Sequence, residues 1–578
     1  MDRSSSAEAP AGAGTARIEP VDAPADDRDR RWVAVAVPAA LGLVAAALVV
    51  AASRDGLGTT PDGVSYLGAA TNLADGRGLT GPFATMVDPF TPRQAVAFDG
   101  AVPFIQWPPL YPFVLGIGAW LGVDPITVAR AVSVLALAGT VAGVARVTER
   151  LAPRAWVPAA VAAAWVLVSP YVALLHVLVA SEHLFLVLVL TGLWAGARWS
   201  ADAPWRDGPA WPWGAVAVVA GSAATLTRFA GVAVVAALAV GVLVAGRGDR
   251  RHRWGLAGGV VAVGVVPALA WSQLTARQAG VPTRTLAWHP PDRAQWEGVG
   301  DTLAGWFAPT DAPTALRTLV VLAALAAVAL AVAGWRRALA DRSGAVPAEA
   351  RPWLVLVVAF TVTYLIAVLV THSLFDRAVP ISQRLLVPLQ PPLAVTVAGG
   401  VAWWWRRVAP TWAAPARTGT VVALVAAAAL GLAGLRSSWW PLVEPGRPWP
   451  ADPATTEVAK LLADQPGGAV LAANDPALVW ASTDRAAIAL PVRTYAPSGR
   501  DNPRFDAQLD ELADVLGCDG VAVVYSSSAL LNPHVAGVGD LVGSGLTVVA
   551  TFDDATVLGV EAGDGCAGSG AAGAATDG

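Results

Sequence analysis

The chain has 578 residues, 55% of them hydrophobic and 14% charged, with a mean hydropathy of +0.54. That is too little polar surface to cover the apolar mass of a soluble globule, so the composition describes a polytopic membrane protein. The formal net charge of −4 carries no nucleic-acid footprint, and Lys460 is the only lysine, so a cationic phosphate-binding group in this chain is an arginine.

Residues 1–31 mix Ser, Ala, Pro, Asp and Arg without periodicity and read as a disordered cytoplasmic tail. Trp32–Ala52 follows as an uncleaved first span, longer than a signal-peptide core. Next comes a polar, Gly- and Pro-punctuated stretch whose ends are DGVSYLGAATNLADGRG (62–78) and QWPPLYP (106–112). Val64, Leu67, Ala70 and Leu73 recur every three residues, which predicts a short amphipathic helix on the membrane surface with Asp62 at its N-cap. An Asp there has two readings, a cap for orphan amides or a catalytic carboxylate. Leu110–Val123, entered through Pro108, Pro109 and Pro112, is short for a span and predicts a re-entrant or interfacial helix. The whole of 53–126 then lies on the outer side.

Apolar runs at 127–147, 155–177, 183–199, 212–227, 229–246, 254–273, 314–334, 352–371, 385–404 and 418–436 predict about eleven spans with the first. The arginine-bearing loops at Arg146, Arg150 and Arg154, at Arg198 and Arg206, at Arg247, Arg250, Arg251 and Arg253, at Arg336, Arg337 and Arg342, and at Arg406 and Arg407 are cytoplasmic by the positive-inside rule. The alternate segments, with Glu182, Arg228, 274–313, 372–384 and everything after about 437, face out. From Thr455 to Gly563 the apolar runs shorten to strand length and alternate with helical stretches, which predicts a small exported α/β domain over 441–565, followed by a disordered tail at 566–578. Cys518 and Cys566, the only cysteines, lie in this exported part, where a disulfide is permitted.

Ionisable groups at a bilayer boundary are costly unless paired or used, and three stand out besides Asp62. Glu182, in SEHLF, heads a span with no polar stretch to solvate it; its alternative reading is a capping box with Ser181. Arg228, in TLTRFAG, splits a long apolar run at an outward-facing hairpin, a place for anion binding rather than a topological stop. Arg384 heads a Pro-kinked span; its planar guanidinium suits bidentate contact to phosphate, and a snorkelling arginine is the alternative. Tyr66, Trp107, Tyr111 and His183 are candidates to line a substrate site, with interfacial aromatic belting as the competing reading for the rings. His176, His183, His289 and His372 face outward without tight metal-ligand spacing.

The order of these features resembles the GT-C superfamily of membrane glycosyltransferases, in particular the ArnT-like and protein-O-mannosyltransferase-like branch (glycosyltransferase family 39, PMT_2-type). The order comprises an outer Asp after the first span, W-P-P-x-Y-P, Ala129-Arg130, Ser169-Pro170 then Ser181-Glu182, Thr227–Gly231, and R-x-x-x-P-x-x-P over Arg384–Pro391. The resemblance covers about 32–440, the transmembrane domain with outer loop 53–126; Asn474–Trp480 is similar to the exported tail of bacterial members. It implies an all-α GT-C-like membrane domain in a bacterial plasma membrane. The implied activity is a hexosyl- or pentosyltransferase that takes a sugar from a polyprenyl-phosphate donor, with inversion, to an extracytoplasmic lipid, glycan or protein acceptor. Asp62 matches the family's catalytic aspartate, Glu182 its second acid, and Arg228 and Arg384 the positions that meet the lipid phosphate. Gln106 stands where some members carry an acidic metal ligand, so no metal or other cofactor is expected to be required. The competing classes are a transporter or flippase of lipid-linked glycans, which would favour repeated halves and midplane charge, and an assembly protein carrying the tail as a binding module.

Overall fold

The apolar runs form helices in a computed structural model that describes residues 25–85, 87–201, 211–246, 248–280, 286–307, 313–341, 345–377, 379–408, 432–443, 456–526 and 534–560. Among the described residues, seven helices are long and apolar enough to cross a bilayer: Trp32–Ala52, Pro125–Leu151, Glu182–Ala201, Arg250–Ala279, Thr314–Ala340, Ala350–Phe375 and Gln383–Arg406. The run at 155–177 is a bent pair, Trp156–Leu167 and Pro170–His176, turned by 61° where Pro170 restarts the helix, which makes eight if the pair is one span.

Of the about eleven spans expected, these are the ones that the described residues show by length and composition. Trp211–Thr227 has 17 residues and Val232–Ala245 has 14, roughly 25 and 21 Å of helix against about 30 Å of hydrocarbon. Both are cut short at the hairpin around Arg228. The last expected span, 418–436, falls largely outside the described residues.

Ends of the bundle are sorted by charge. Arg130 donates to the Ser53 hydroxyl and the Val50 carbonyl, both at 3.0 Å, while Arg146 donates to the Ala34 carbonyl at 3.0 Å. The first two long helices are thus antiparallel, and the chain between them leaves and returns at one end. Within that stretch Leu110–Trp120 has 11 residues, too few to span. It buries Tyr111, Pro112, Leu115 and Gly116 and leaves Phe113, Ile117 and Trp120 exposed, as an interfacial helix should. At the opposite end Arg198 pairs with Glu349 at 2.6 Å, and the Trp403 indole donates to the Leu151 carbonyl at 3.0 Å. Segments expected outside meet one another, as where the His289 amide donates to Ser373 and the Ile381 amide to Gln295.

Residues 456–560 add a five-stranded mixed sheet in the order Ile488–Ala489, Leu471–Ala473, Val521–Tyr525, Ala555–Val560, Leu546–Thr551; the first three strands are parallel and the last two join antiparallel. Leu471–Ala473 is buried throughout, which is why it reads as an uninterrupted apolar run. Helices Glu457–Ala463, Pro476–Thr483 and Phe505–Leu516 flank the sheet. The outer loop belongs to this layer: Ala84, Ala95 and Val102 share a core with Leu490, Leu512 and Leu558, Phe83 bridges to Ala487, and the Thr91 hydroxyl donates to Glu511 at 2.7 Å. Cys518 is disulfide-bonded; Cys566, the only other cysteine, lies outside the described residues.

The sorted ends give a topology test. A cysteine placed at Trp288, which is 74% exposed, should react with a membrane-impermeant maleimide added to intact cells. One placed at exposed Arg337 should react only after the cells are permeabilised. The reverse pattern would invert every side assignment.

Candidate active site

Four charged side chains from four separate elements meet at the loop-covered end of the bundle. Each is brought there by a local feature of its own segment.

Asp62 rides on the helix Pro61–Ala74. The expectation that it caps this helix is corrected: Thr60 is the N-cap, its Oγ1 accepting from the Gly63 amide at 3.1 Å, with Pro61 as first helical residue. Thr followed by Pro is the stronger start signal, since Pro has no amide to satisfy and presets φ. The Asp62 carboxylate is left for other work. The start of the helix is fixed by a two-bond bridge, Gly58 amide to Val177 carbonyl and Val179 amide to Gly58 carbonyl, both 2.8 Å. A Cβ on Gly63 would stand 2.6 Å from the Val179 carbonyl oxygen, so only glycine permits this approach. The bridge sets Asp62 beside the segment that carries Ser181 and Glu182.

Glu182 opens the helix Glu182–Ala201 and is 1% exposed. Its Oε1 accepts from Arg228 Nη1 at 2.7 Å and from Arg384 Nε. Arg228 sits between Trp211–Thr227 and the tight turn Phe229–Gly231 in extended backbone, at a hairpin where a Cβ on Gly231 would run into the Ala224 carbonyl carbon at 2.3 Å. Arg384 lies in the turn Gln383–Leu386, which passes through a 3-10 turn containing Pro388 into Gln390–Val408. Pro388 breaks the regular ladder there, and the Tyr364 hydroxyl donates to the Leu385 carbonyl at 2.8 Å, which keeps that carbonyl paired in the apolar interior. Arg384 Nη2 then reaches Asp62 Oδ2 at 2.6 Å.

Side-chain exposure rises along this chain of contacts, from 1% at Glu182 and 17% at Arg228 to 28% at Asp62 and 37% at Arg384. The cluster therefore opens at the Asp62–Arg384 pair.

Ser181 is a site residue that sequence reasoning missed. Its hydroxyl, assigned there only to a capping box, accepts from Arg228 Nη1 at 3.1 Å and lies 3.2 Å from the Tyr66 hydroxyl. Tyr66 and Tyr111 are buried, with ring centroids 5.2 Å apart, and Trp107 stands edge-on to Tyr66 at 5.9 Å. These rings wall the cluster rather than face solvent. Burial, and after it the Asp62 carboxylate, hold the Tyr66 phenol well above its ordinary pKa, so it stays a neutral hydrogen-bonding group. His183 is corrected as a lining residue: it is fully buried, Nε2 donates to the Leu175 carbonyl at 2.6 Å, and its ring stacks on His176 at 4.8 Å. The Gln106 amide donates to the Val87 carbonyl and to Asp88. Among the described residues, no three His, Cys, Asp or Glu side chains converge as a metal-ligand set.

The arrangement offers one carboxylate at an opening and two guanidinium groups behind it, held by a buried second carboxylate. Removing that buried anion should cost stability. Glu182→Ala leaves two cations without their buried partner, a loss of about 3–5 kcal/mol. In denaturant unfolding of detergent-solubilised protein, the double variant with Arg228→Ala should lose less than the sum of the two single variants, with a coupling of roughly 0.5–3 kcal/mol. Strict additivity would contradict the pairing.

No protein-family model matches the chain, and no curated protein matches its sequence. Solved structures do. The crystal structure of ArnT from Cupriavidus metallidurans bound to undecaprenyl phosphate matches with a TM-score of 0.54 at 16% identity, over 90% of this chain and 97% of that one. The archaeal oligosaccharyltransferase AglB from Archaeoglobus fulgidus follows at TM-score 0.47 and 12% identity, over 88% of this chain and 72% of that one. Arabinofuranosyltransferase AftD from Mycobacteria matches at 0.44 and 16%, over 93% of this chain and 42% of that one. The ArnT match extends along nearly the whole length of both chains, and by it the fold of this chain is like that of ArnT.

Proposed function

We propose that the chain is a membrane glycosyltransferase that moves a sugar from a polyprenyl-phosphate donor to an extracytoplasmic acceptor with inversion. The observation that carries this reading is the cluster itself. Asp62 stands at the opening, and Arg228 and Arg384 are aimed by the buried Glu182. The likeness to a fold solved with undecaprenyl phosphate supports the choice of a lipid-linked phosphate as the anion.

The chemistry asks little of the protein. A glycosyl phosphodiester already carries a good leaving group, so the arginines need only stabilise the charge that grows on the phosphate oxygen as the C1–O bond breaks. Asp62 accepts the proton of the acceptor hydroxyl while that oxygen forms its bond to C1 from the opposite face. The bonding pair of the broken C1–O bond stays on the phosphate and leaves as polyprenyl phosphate. No acid is needed for the leaving group, which separates this site from a hydrolase with its paired acid and base. Glu182, bound to both guanidinium groups, is the positioning acid rather than the base.

Asp62→Asn tests the base directly, because Thr60 caps the helix and the amide removes only the charge and the basicity. Transfer of radiolabel from a polyprenyl-phosphate sugar to membrane acceptors should fall about 10²–10⁴-fold, with expression and insertion unchanged. Near-normal turnover in that variant would remove Asp62 from the base role. If the wild-type protein moved labelled lipid across the bilayer without any transfer, the flippase reading would replace this one.

A further inference from the structure

The four charges of the cluster cancel among themselves. Arg228 and Arg384 face Asp62 and Glu182, and each carboxylate touches a guanidinium. A phosphodiester that enters such a set brings a negative charge with no counter-ion, so it competes with the carboxylates for the guanidinium charge.

The contacts differ in how easily they yield. Arg228 is 17% exposed against a Glu182 that is 1% exposed, and its Nη1 is held a second time by Ser181. That pair is closed in. Arg384 and Asp62 are the two exposed members, at 37% and 28%, and they sit on separate elements: the kinked start of one membrane helix and a helix lying over the bundle end. Arg384 also keeps Glu182 through Nε, a pivot that remains when Nη2 lets go of Asp62. The base and the anion site therefore share one guanidinium, with Nη2 on the side that carries the base.

We infer that the Asp62–Arg384 ion pair is a latch opened by the donor: the lipid-linked phosphate takes Arg384 Nη2, and Asp62, having lost its cation, becomes available to the acceptor hydroxyl. The inference rests on the reading of the cluster as a polyprenyl-phosphate site and adds an order to it. Donor binds first, and acceptor is deprotonated only on the donor-loaded protein. By linkage, a change on the Asp62 side that weakens the pair, such as Asp62→Asn, must also strengthen phosphate binding at Arg384.

Carboxyl labelling reads the latch without turnover. A carbodiimide with a nucleophilic ester modifies a carboxyl by way of its protonated form, so a carboxylate paired to a guanidinium reacts slowly. The purified full-length protein in nanodiscs is labelled with and without saturating undecaprenyl phosphate, and the label at Asp62 is quantified by mass spectrometry. Binding of the lipid is measured separately by native mass spectrometry. The expected result is a rise at Asp62 of roughly 5- to 150-fold, the range of coupling between two linked sites, and the same high rate in Arg384→Ala without lipid. A rise with inorganic phosphate alone also supports the latch and assigns the trigger to the phosphate group rather than the prenyl chain. Lipid that binds while Asp62 labels at an unchanged or lower rate overturns the latch and leaves the function standing. Lipid that does not bind at all overturns the polyprenyl-phosphate reading and the latch with it.

Discussion

A fully buried carboxylate at the edge of a bilayer is the constraint on which the site depends. Glu182 is 1% exposed, and a charge in that position is several kcal/mol too costly to persist unpaired. Its two guanidinium partners come from a hairpin and a Pro-broken helix, so the requirement to neutralise one oxygen fixes the depth of Arg228 and the kink that carries Arg384. Asp62 then completes the charge balance from above. Local irregularities that weaken individual helices, the short pair around Arg228 and the 3-10 turn at Val387–Leu389, are placed where they deliver a charged group.

The outer loop and the C-terminal sheet hold the upper half of this arrangement. Phe83 lies between Val64 of the Asp62 helix and the tail residues Ala477 and Trp480, with the Phe83 and Trp480 rings 6.2 Å apart. The loop's own short helix, Pro92–Ala97, packs on Phe505–Leu516 of the tail and is tied to it by the Thr91–Glu511 bond. Residues 53–126 and the tail are thus not independent layers. A helix of 14 residues has little stability of its own, and the tail supplies part of the apolar contacts that fix where its carboxylate points.

Much of this was legible in the sequence because the signals were local. The helix Pro61–Ala74 stands where the spacing of Val64, Leu67, Ala70 and Leu73 puts it, although Gly63–Ala70 are buried without a break, so it is enclosed between bundle and tail rather than laid on a surface; the strands at Val521–Tyr525 and Leu546–Thr551 stand where short apolar runs between turn residues put them. Asp62, Glu182, Arg228 and Arg384 could be picked out because ionisable residues are rare in apolar surroundings. What escaped depended on partners distant in sequence. The sequence shows Ser181 only as a cap, because its partners, Tyr66 and Arg228, are 115 and 47 residues away. Asp62 is the more conspicuous N-cap candidate in the sequence, and Thr60 is the cap in the structure. His183 follows Glu182 in sequence, yet neighbours in a helix point about 100° apart, and its ring turns to His176. Hydropathy places 212–227 and 229–246 where the helices Trp211–Thr227 and Val232–Ala245 stand, but it cannot see that a buried ion pair sets where their hairpin turns.

The central claim is direct displacement at the anomeric carbon by an acceptor hydroxyl, and the anomeric configuration of the product tests it most directly. Purified wild-type protein is supplied with a polyprenyl-phosphate sugar of defined anomer, and the newly made glycosidic bond is examined by NMR. A single displacement with one base at the opening predicts complete inversion. Retention of configuration would require a covalent glycosyl-enzyme intermediate, for which the cluster provides no second displacement, and would contradict the account.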